Sequence, residues 1–364
     1  MRSLHVPLIF LKTLIAACAV CIAGVASAQA AEGVEVPYLE QWQASPHARQ
    51  ASEAFRHWDK EGQVPEACAA CHSSGGYLDF LGADGSTPGK VDKPHPTDTV
   101  IACTTCHSEG AQNISRVVFP SGAVVQDAGR SMRCMVCHQG RQSGPGVHKG
   151  LAGLAPDTVS DQVKFQNVHY RAAAATAYGT VVKGGYEYAG LSYAGEYRHV
   201  AGLQACTECH DAHTTQVRGE ECIACHRDAQ SGQLDRIRMI KVDYDGDGDA
   251  NEGLAHEIET LHGALYAQMQ AYAKNTAGTA IVYDSHAYPY FFTDANGNGQ
   301  ADPDEAQRAN VYKTWTPRLA KAAYNYQFVA KDPGGYAHNG NYIVQLLHDS
   351  IADLGGDTSK MKRP

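Results

Sequence analysis

The sequence predicts a two-part fold. Up to about residue 230 it predicts little regular secondary structure and a few short hairpins; 231–364 reads as a mostly α-helical domain. Three observations carry this. Ten of the twelve Cys fall between residues 68 and 225, as five Cys-x-x-Cys pairs each followed by His. The same stretch is rich in Gly and Ala and offers few apolar periodic segments, so side chains alone build little core there. Beyond residue 231 there is no Cys, and apolar residues recur every three or four positions. A chain that is 19% charged and 43% hydrophobic is neither disordered nor a coiled coil.

The N-terminus reads as a leader. Arg2 and Lys12 precede an apolar run over 13–25, and Ala26-Ser27-Ala28 is a small-residue cleavage site, giving a signal peptide over 1–28. Ile15-Ala16-Ala17-Cys18 offers a second reading, lipid attachment at Cys18, but leaves only about five apolar residues after Lys12 against the roughly 7–15 of a signal core. Removing 1–28 leaves 28 Lys and Arg against 39 Asp and Glu, a formal charge of −11. That balance argues against nucleic-acid binding. No later apolar run approaches the length of a membrane-spanning helix. The expected location is the periplasm or the cell exterior.

The five motifs are Cys68-Ala-Ala-Cys71-His72, Cys103-Thr-Thr-Cys106-His107, Cys134-Met-Val-Cys137-His138, Cys206-Thr-Glu-Cys209-His210 and Cys222-Ile-Ala-Cys225-His226. This is the attachment pattern of c-type haem. Two thiols one helical turn apart add to the two porphyrin vinyl groups, and the adjacent His lies under the ring to bind iron. A disulfide framework, zinc sites or a thioredoxin-like pair would not need His after every second Cys. Five haems are therefore expected. First cysteines are spaced by 35, 31, 72 and 16 residues, so the last two haems must pack together.

The chain thus resembles exported multihaem c-type cytochromes, most specifically over 68–226. Ser45-Pro-His47-Ala, Asn167-Val-His169-Tyr, Cys209-His210-Asp-Ala-His213 and Ala337-His338-Asn339 are similar to stretches in larger multihaem cytochromes. Those include electron carriers of metal-respiring bacteria and, more loosely, the nitrite reductase, hydroxylamine oxidoreductase and tetrathionate reductase group. Pentahaem nitrite reductases carry their catalytic haem on a motif ending in Lys, whereas all five motifs here end in His. The resemblance implies a multihaem cytochrome c fold packed around haems.

Outside the leader the chain has 17 His, and five follow motifs. The surplus fits haems with His on both faces, which are low-spin and low in potential. His213, too close to His210 to cross its own haem, is the first candidate for a distal ligand of a neighbouring haem. His47, His57, His169, His199 and His338 follow, and five of these six are expected to bind iron. His95, His148, His256, His262, His286 and His348 are read as ordinary histidines.

The remaining elements follow in order. Residues 116–119 and 123–125 flank Pro-Ser-Gly as a hairpin, and 186–188 with 191–193 flank Ala-Gly as a weaker one. His169 is expected to open an Ala-rich helix over 171–178. Leu254, Ile258, Leu261, Leu265, Met269 and Tyr272 mark one amphipathic helix. A second is expected over 305–328, kinked or split by Pro317, and a last one over 338–354.

Two acidic loops suit calcium. Asp294, Asn296, Asn298, Asp302 and Glu305 occupy positions 1, 3, 5, 9 and 12 of a calcium loop, with Gly299 at position 6. In the other, Asp243, Asp245, Asp247, Gly248 and Asn251 match positions 1, 3, 5, 6 and 9, with Asp249 among them; position 12 is Leu254, which leaves Glu252 or Glu257 to complete it. Neither loop follows a helix, so structural staples are expected.

The leading function is electron transfer through the haems in anaerobic or extracellular respiration, with redox proteins or extracellular acceptors as partners and a homo-oligomer or filament as one possible form. The alternative is a reductase acting on a small nitrogen or sulfur compound at a haem with an open distal position. A haem-bearing sensor is a lesser reading, since one haem would suffice for it. No nucleophile triad, P-loop or dinucleotide motif is present, so no catalytic residue is assigned.

Overall fold

Four motifs carry both thiols on a short helix, which points them the same way one turn apart, and the fifth begins on one that ends between its two cysteines. The computed structural model describes residues 35–227, 229–230 and 232–364; the expected leader lies outside them. The chain divides into two units, Met1–Leu39 and Glu40–Pro364. In the second unit the motif helices are α1 (Glu66–His72), α2 (Cys103–His107) and α3 (Met132–His138). After the Ala-rich α4 (Ala173–Tyr178) come α5 (Cys206–Cys209) and α6 (Gly219–Ile223). Between α2 and α3, β1 (Arg116–Val118) pairs antiparallel with β2 (Val124–Gln126), Val117 facing Val125.

The second expected hairpin does not form. Its turn is made, Leu191 N donating to Tyr188 O at 3.3 Å, but no ladder follows, because side chains take the flanking donors: Tyr186 N donates to Asn325 Oδ1 at 2.7 Å and Tyr188 N to the Tyr193 hydroxyl at 3.0 Å.

The C-terminal region holds α7 (Leu254–Tyr272), α8 (Pro317–Ala330) and α9 (Gly335–Asp353), packed on one another. A hairpin of β3 (Ile281–Tyr283) and β4 (Phe291–Thr293) covers one side. Leu261, Leu265, Met269, Phe328, Tyr342, Leu346 and Leu347 are fully buried. At about 1.5–3 kcal/mol for each large apolar side chain, this is the main apolar stabilisation of the molecule. Helix α8 begins at Pro317 instead of being kinked by it. The Thr316 hydroxyl accepts from Leu319 N at 3.1 Å, and proline in the first turn sacrifices no hydrogen bond. Helix α9 is broken at Asn339 (φ −169°, ψ 77°), whose side-chain Oδ1 accepts from Tyr342 N at 3.2 Å and restarts the helix.

The expected boundary at residue 230 is not a boundary between cores. One apolar cluster runs from Tyr77 to Leu354. Helix α4 packs against α9, and Gly185 lies so close to Leu346 that a Cβ there would come within 2.3 Å of it.

Candidate haem-binding sites

The motif histidines are not left alone. His72 faces His169 with ring centroids 5.8 Å apart, His107 faces His213 at 6.1 Å, and His138 faces His47 at 6.4 Å. His210 faces His338 at 6.4 Å and His226 faces His199 at 6.0 Å. Two metal–imidazole bonds of about 2 Å and two ring radii of about 1.2 Å put imidazoles sharing one ion about 6.4 Å apart, centroid to centroid. All five separations suit that arrangement. His57 stands apart: it stacks edge-on against Trp58 and its Nδ1 meets Glu53 Oε1 at 2.8 Å.

The second nitrogen of several rings is also fixed. A metal-binding imidazole ordinarily donates its other N–H to a carbonyl or carboxylate, which sets the tautomer. His72 Nδ1 donates to Ala54 O at 2.7 Å, His138 Nδ1 to Arg171 O at 3.0 Å and His210 Nδ1 to Thr215 O at 3.3 Å. His338 Nδ1 instead meets both oxygens of buried Asp332, each at 2.9 Å. Each arrangement leaves Nε2 for a metal. Burial, with His138 beside it, holds His47 down at about 4; burial, then His72, does the same for His169. Both are neutral, the form that binds iron. Burial also works to lower His338, but Asp332 outweighs it and lifts the group above its ordinary value.

Local backbone aims these rings. His169 (φ 76°) and Arg171 (φ 56°) are both left-handed, so His169 sits in a turn before α4 rather than opening that helix. Asn167 Oδ1 accepts from His169 N at 2.9 Å and holds the turn. Residues 169–171 thereby serve two motifs, giving a ring to His72 and a carbonyl to His138.

The motifs meet out of sequence order. Cys71 Sγ donates to Val136 O and Cys137 Sγ to Ala70 O, each at 3.7 Å. Cys206 N donates to Ser131 Oγ, one residue before α3, at 3.0 Å. Motif two joins through Arg133, whose Nη1 donates to Cys106 O at 2.6 Å. Helix α3 therefore touches motifs one, two and four.

The six histidines read as ordinary are otherwise engaged or open. His95 pairs with Asp79 at 2.9 Å, His262 stacks on Tyr326 at 4.0 Å, and His348 meets Asp349 at 3.1 Å. His256 lies 3.3 Å from Asp235, His148 stacks on Tyr186 and His286 is exposed.

The acidic loops share one hydrogen-bond pattern. Gly246 N and Gly248 N donate to the two oxygens of Asp243 at 2.6 and 2.9 Å; Gly297 N and Gly299 N do the same to Asp294 at 2.7 and 3.0 Å. Asp247 N to Asp245 matches Asn298 N to Asn296, and Asp249 N to Asp247 matches Gln300 N to Asn298. Asp302 Oδ2 accepts from the Asn296 and Asn298 amides, each at 2.8 Å. These are loops of oxygen donors, the chemistry of a hard cation.

Two functional candidates escaped the sequence reading, Asp332 and Asn339. Asp332 precedes His338 by six residues across a turn and gave no local signal. Asn339, directly before a periodic apolar run, carried the helix-start signature.

No protein-family model matches the chain. It is similar to the C-type polyheme cytochrome OmcB of Geobacter sulfurreducens, 26% identical over 82% of this chain and 45% of that protein. The C-type polyheme cytochrome OmcC of the same organism is 28% identical over 78% of this chain and 42% of its own. The chain therefore spans less than half the length of these relatives. The crystal structure of the outer cell wall cytochrome OcwA overlaps 87% of this chain and 50% of its own, at 15% identity and a TM-score of 0.44. With five haem-attachment motifs and polyhaem relatives matching across most of its length, the chain is a multihaem c-type cytochrome.

Proposed function

We propose that the chain transfers electrons through five covalently bound c-type haems in anaerobic or extracellular respiration, after export by the leader over 1–28. One observation carries this reading: each motif His is faced by a second His at 5.8–6.4 Å. A c-type haem supplies a one-electron iron couple, and two neutral imidazoles keep it low-spin and low in potential. The protein's part is to hold, orient and space. The ten motif thiols fix the rings covalently, the paired histidines fix both axial positions, and the contacts of α3 gather the motifs.

The facing pairs leave no motif His without a partner, which disfavours a reductase with an open iron. They also close within one chain, so no ligand is required from a second copy. The acidic balance suits basic redox partners or mineral acceptors. The two acidic loops are read as calcium staples of the C-terminal region.

The test is haem quantitation by pyridine haemochrome and intact mass, with EPR and optical spectra of oxidised and reduced protein, with and without CO. Five haems, all low-spin and indifferent to CO, are expected. A high-spin fraction near one haem in five that binds CO would overturn the carrier reading.

A further inference from the structure

We infer that the first acidic loop is a calcium site closed by Glu257, a carboxylate supplied from the first turn of α7, three residues beyond the position where such a loop normally ends. This rests on the calcium reading of the loops and names the ligand that makes the first one complete.

The second loop provides the template. There Glu305 Oε1 accepts from the backbone N–H of loop positions 2 and 3, Ala295 at 2.8 Å and Asn296 at 3.1 Å. Its other oxygen, Oε2, is buried with no hydrogen-bond partner, in a residue only 4% exposed. In the first loop Glu257 Oε2 accepts from the same two positions, Tyr244 N at 2.7 Å and Asp245 N at 2.9 Å. Glu257 thus stands where Glu305 stands, although Leu254 occupies position 12.

Carboxylates converge on the loop, and two of their oxygens have no donor. Asp243, Asp245 and Glu257 bring an oxygen each within 4.8 Å of one another, and so do Asp245, Asp247 and Glu252. Asp245 belongs to both groups and is 7% exposed, yet its Oδ2 has no partner; neither does the buried Oε1 of Glu252. A buried oxygen without a donor is costly, and a cation shared among these five carboxylates removes that cost. Oxygen donors around two positive-φ glycines, Gly246 and Gly248, select Ca²⁺ over soft metals.

The two sites are not equivalent. Arg238 Nη2 donates to Glu257 Oε1 at 2.6 Å and two loop amides donate to Oε2, so the cation would share an oxygen of Glu257 that is already hydrogen-bonded, where Glu305 has its second one unpartnered.

The experiment is calcium titration by calorimetry of the EGTA-stripped haem-loaded protein, with Mg²⁺ as control and the haem spectrum and circular dichroism as fold checks. Two Ca²⁺ ions are expected for the parent protein. Exposed Asp247→Asn and buried Glu257→Gln should weaken the same ion by at least about tenfold, while Glu305→Gln should remove the other. Glu257→Asp, which keeps the charge beside Arg238 but withdraws it, should also weaken the first ion if Glu257→Gln fails to fold. Two ions retained at parental affinity in folded Glu257→Gln or Glu257→Asp, with one lost in Asp247→Asn, overturns the assignment of Glu257 and leaves calcium in place. A single ion that Glu305→Gln abolishes overturns the first site alone, and no binding at all removes the calcium reading with it.

Discussion

The motif region and the C-terminal helices are built on different sources of stability. Around α7, α8 and α9, fully buried side chains meet across helix faces. Around α1, a separate small apolar cluster has three buried members, Val64, Ala69 and Val91, with Trp58 and Phe80 packed against them. Short helices, single turns and left-handed residues such as His169 are poor at holding themselves together. The difference teaches that the C-terminal helices are held by side-chain burial, whereas the motif region shares that cluster through residues such as Tyr77, Val117 and Met132 and, on the proposed function, adds the haems as further core and cross-links.

The sharpest way to break this contrast is to withhold the haems. Protein expressed without haem attachment should lose ordered structure up to about residue 230 and keep helical signal from 254–353, read by hydrogen exchange. Uniform protection along the unloaded chain would sink the idea. The next largest effect is expected from Leu346→Ala, which empties a fully buried site at the α9 contact with Gly185 and should cost about 2–5 kcal/mol in denaturant unfolding.

A smaller change should fall on one haem. His213→Ala should convert about one haem in five to a high-spin, CO-binding form while His57→Ala leaves all of them low-spin, as EPR would record. Smaller again is Asp332→Asn. A carboxylate on His338 Nδ1 makes the imidazole more electron-donating and favours ferric iron. Its neutral replacement should raise one midpoint potential by about 59 mV, a tenfold change in the one-electron equilibrium, in a spectroelectrochemical titration.

The least effect concerns the seam between the regions. Lys331 lies 3.7 Å from the centre of the Tyr170 ring and 4.2 Å from that of Tyr290, and burial lowers it to about 8. Unfolded, it titrates near 10.4. Between those values the unfolded chain holds more protons, so this group makes stability rise with pH from about 8 to 10.4. The ring contacts offset part of the burial cost, so the rise should be about 1 kcal/mol. Chemical denaturation at both ends of that window would measure it, and Lys331→Met should abolish it.

Much of the site was legible because haem attachment writes itself locally, in five residues. The pool of facing histidines was legible as a surplus, but not who faces whom. Partners lie 27 to 128 residues apart, and no local pattern encodes such distances. His57 could have been set aside from Glu53, four residues earlier on the same helix face. Pro317 was misread because a proline that would kink a helix interior is well suited to a first turn; Thr316 before it was the clue. Glu257 was visible only as one of two candidates, since its role depends on how α7 leaves the loop.

The crossing of the histidine pairs has one more consequence. Along the chain, 47 with 138, 72 with 169 and 107 with 213 interleave, and 199 with 226 and 210 with 338 interleave in turn. No segment between them is tied off by itself. If each pair shares an iron, a protease that nicks any bond from 48 to 337 severs the polypeptide but not the molecule, because coordination bonds staple the two fragments across the cut. Such a lacing fails by loss of metal ligation before it fails by loss of chain continuity.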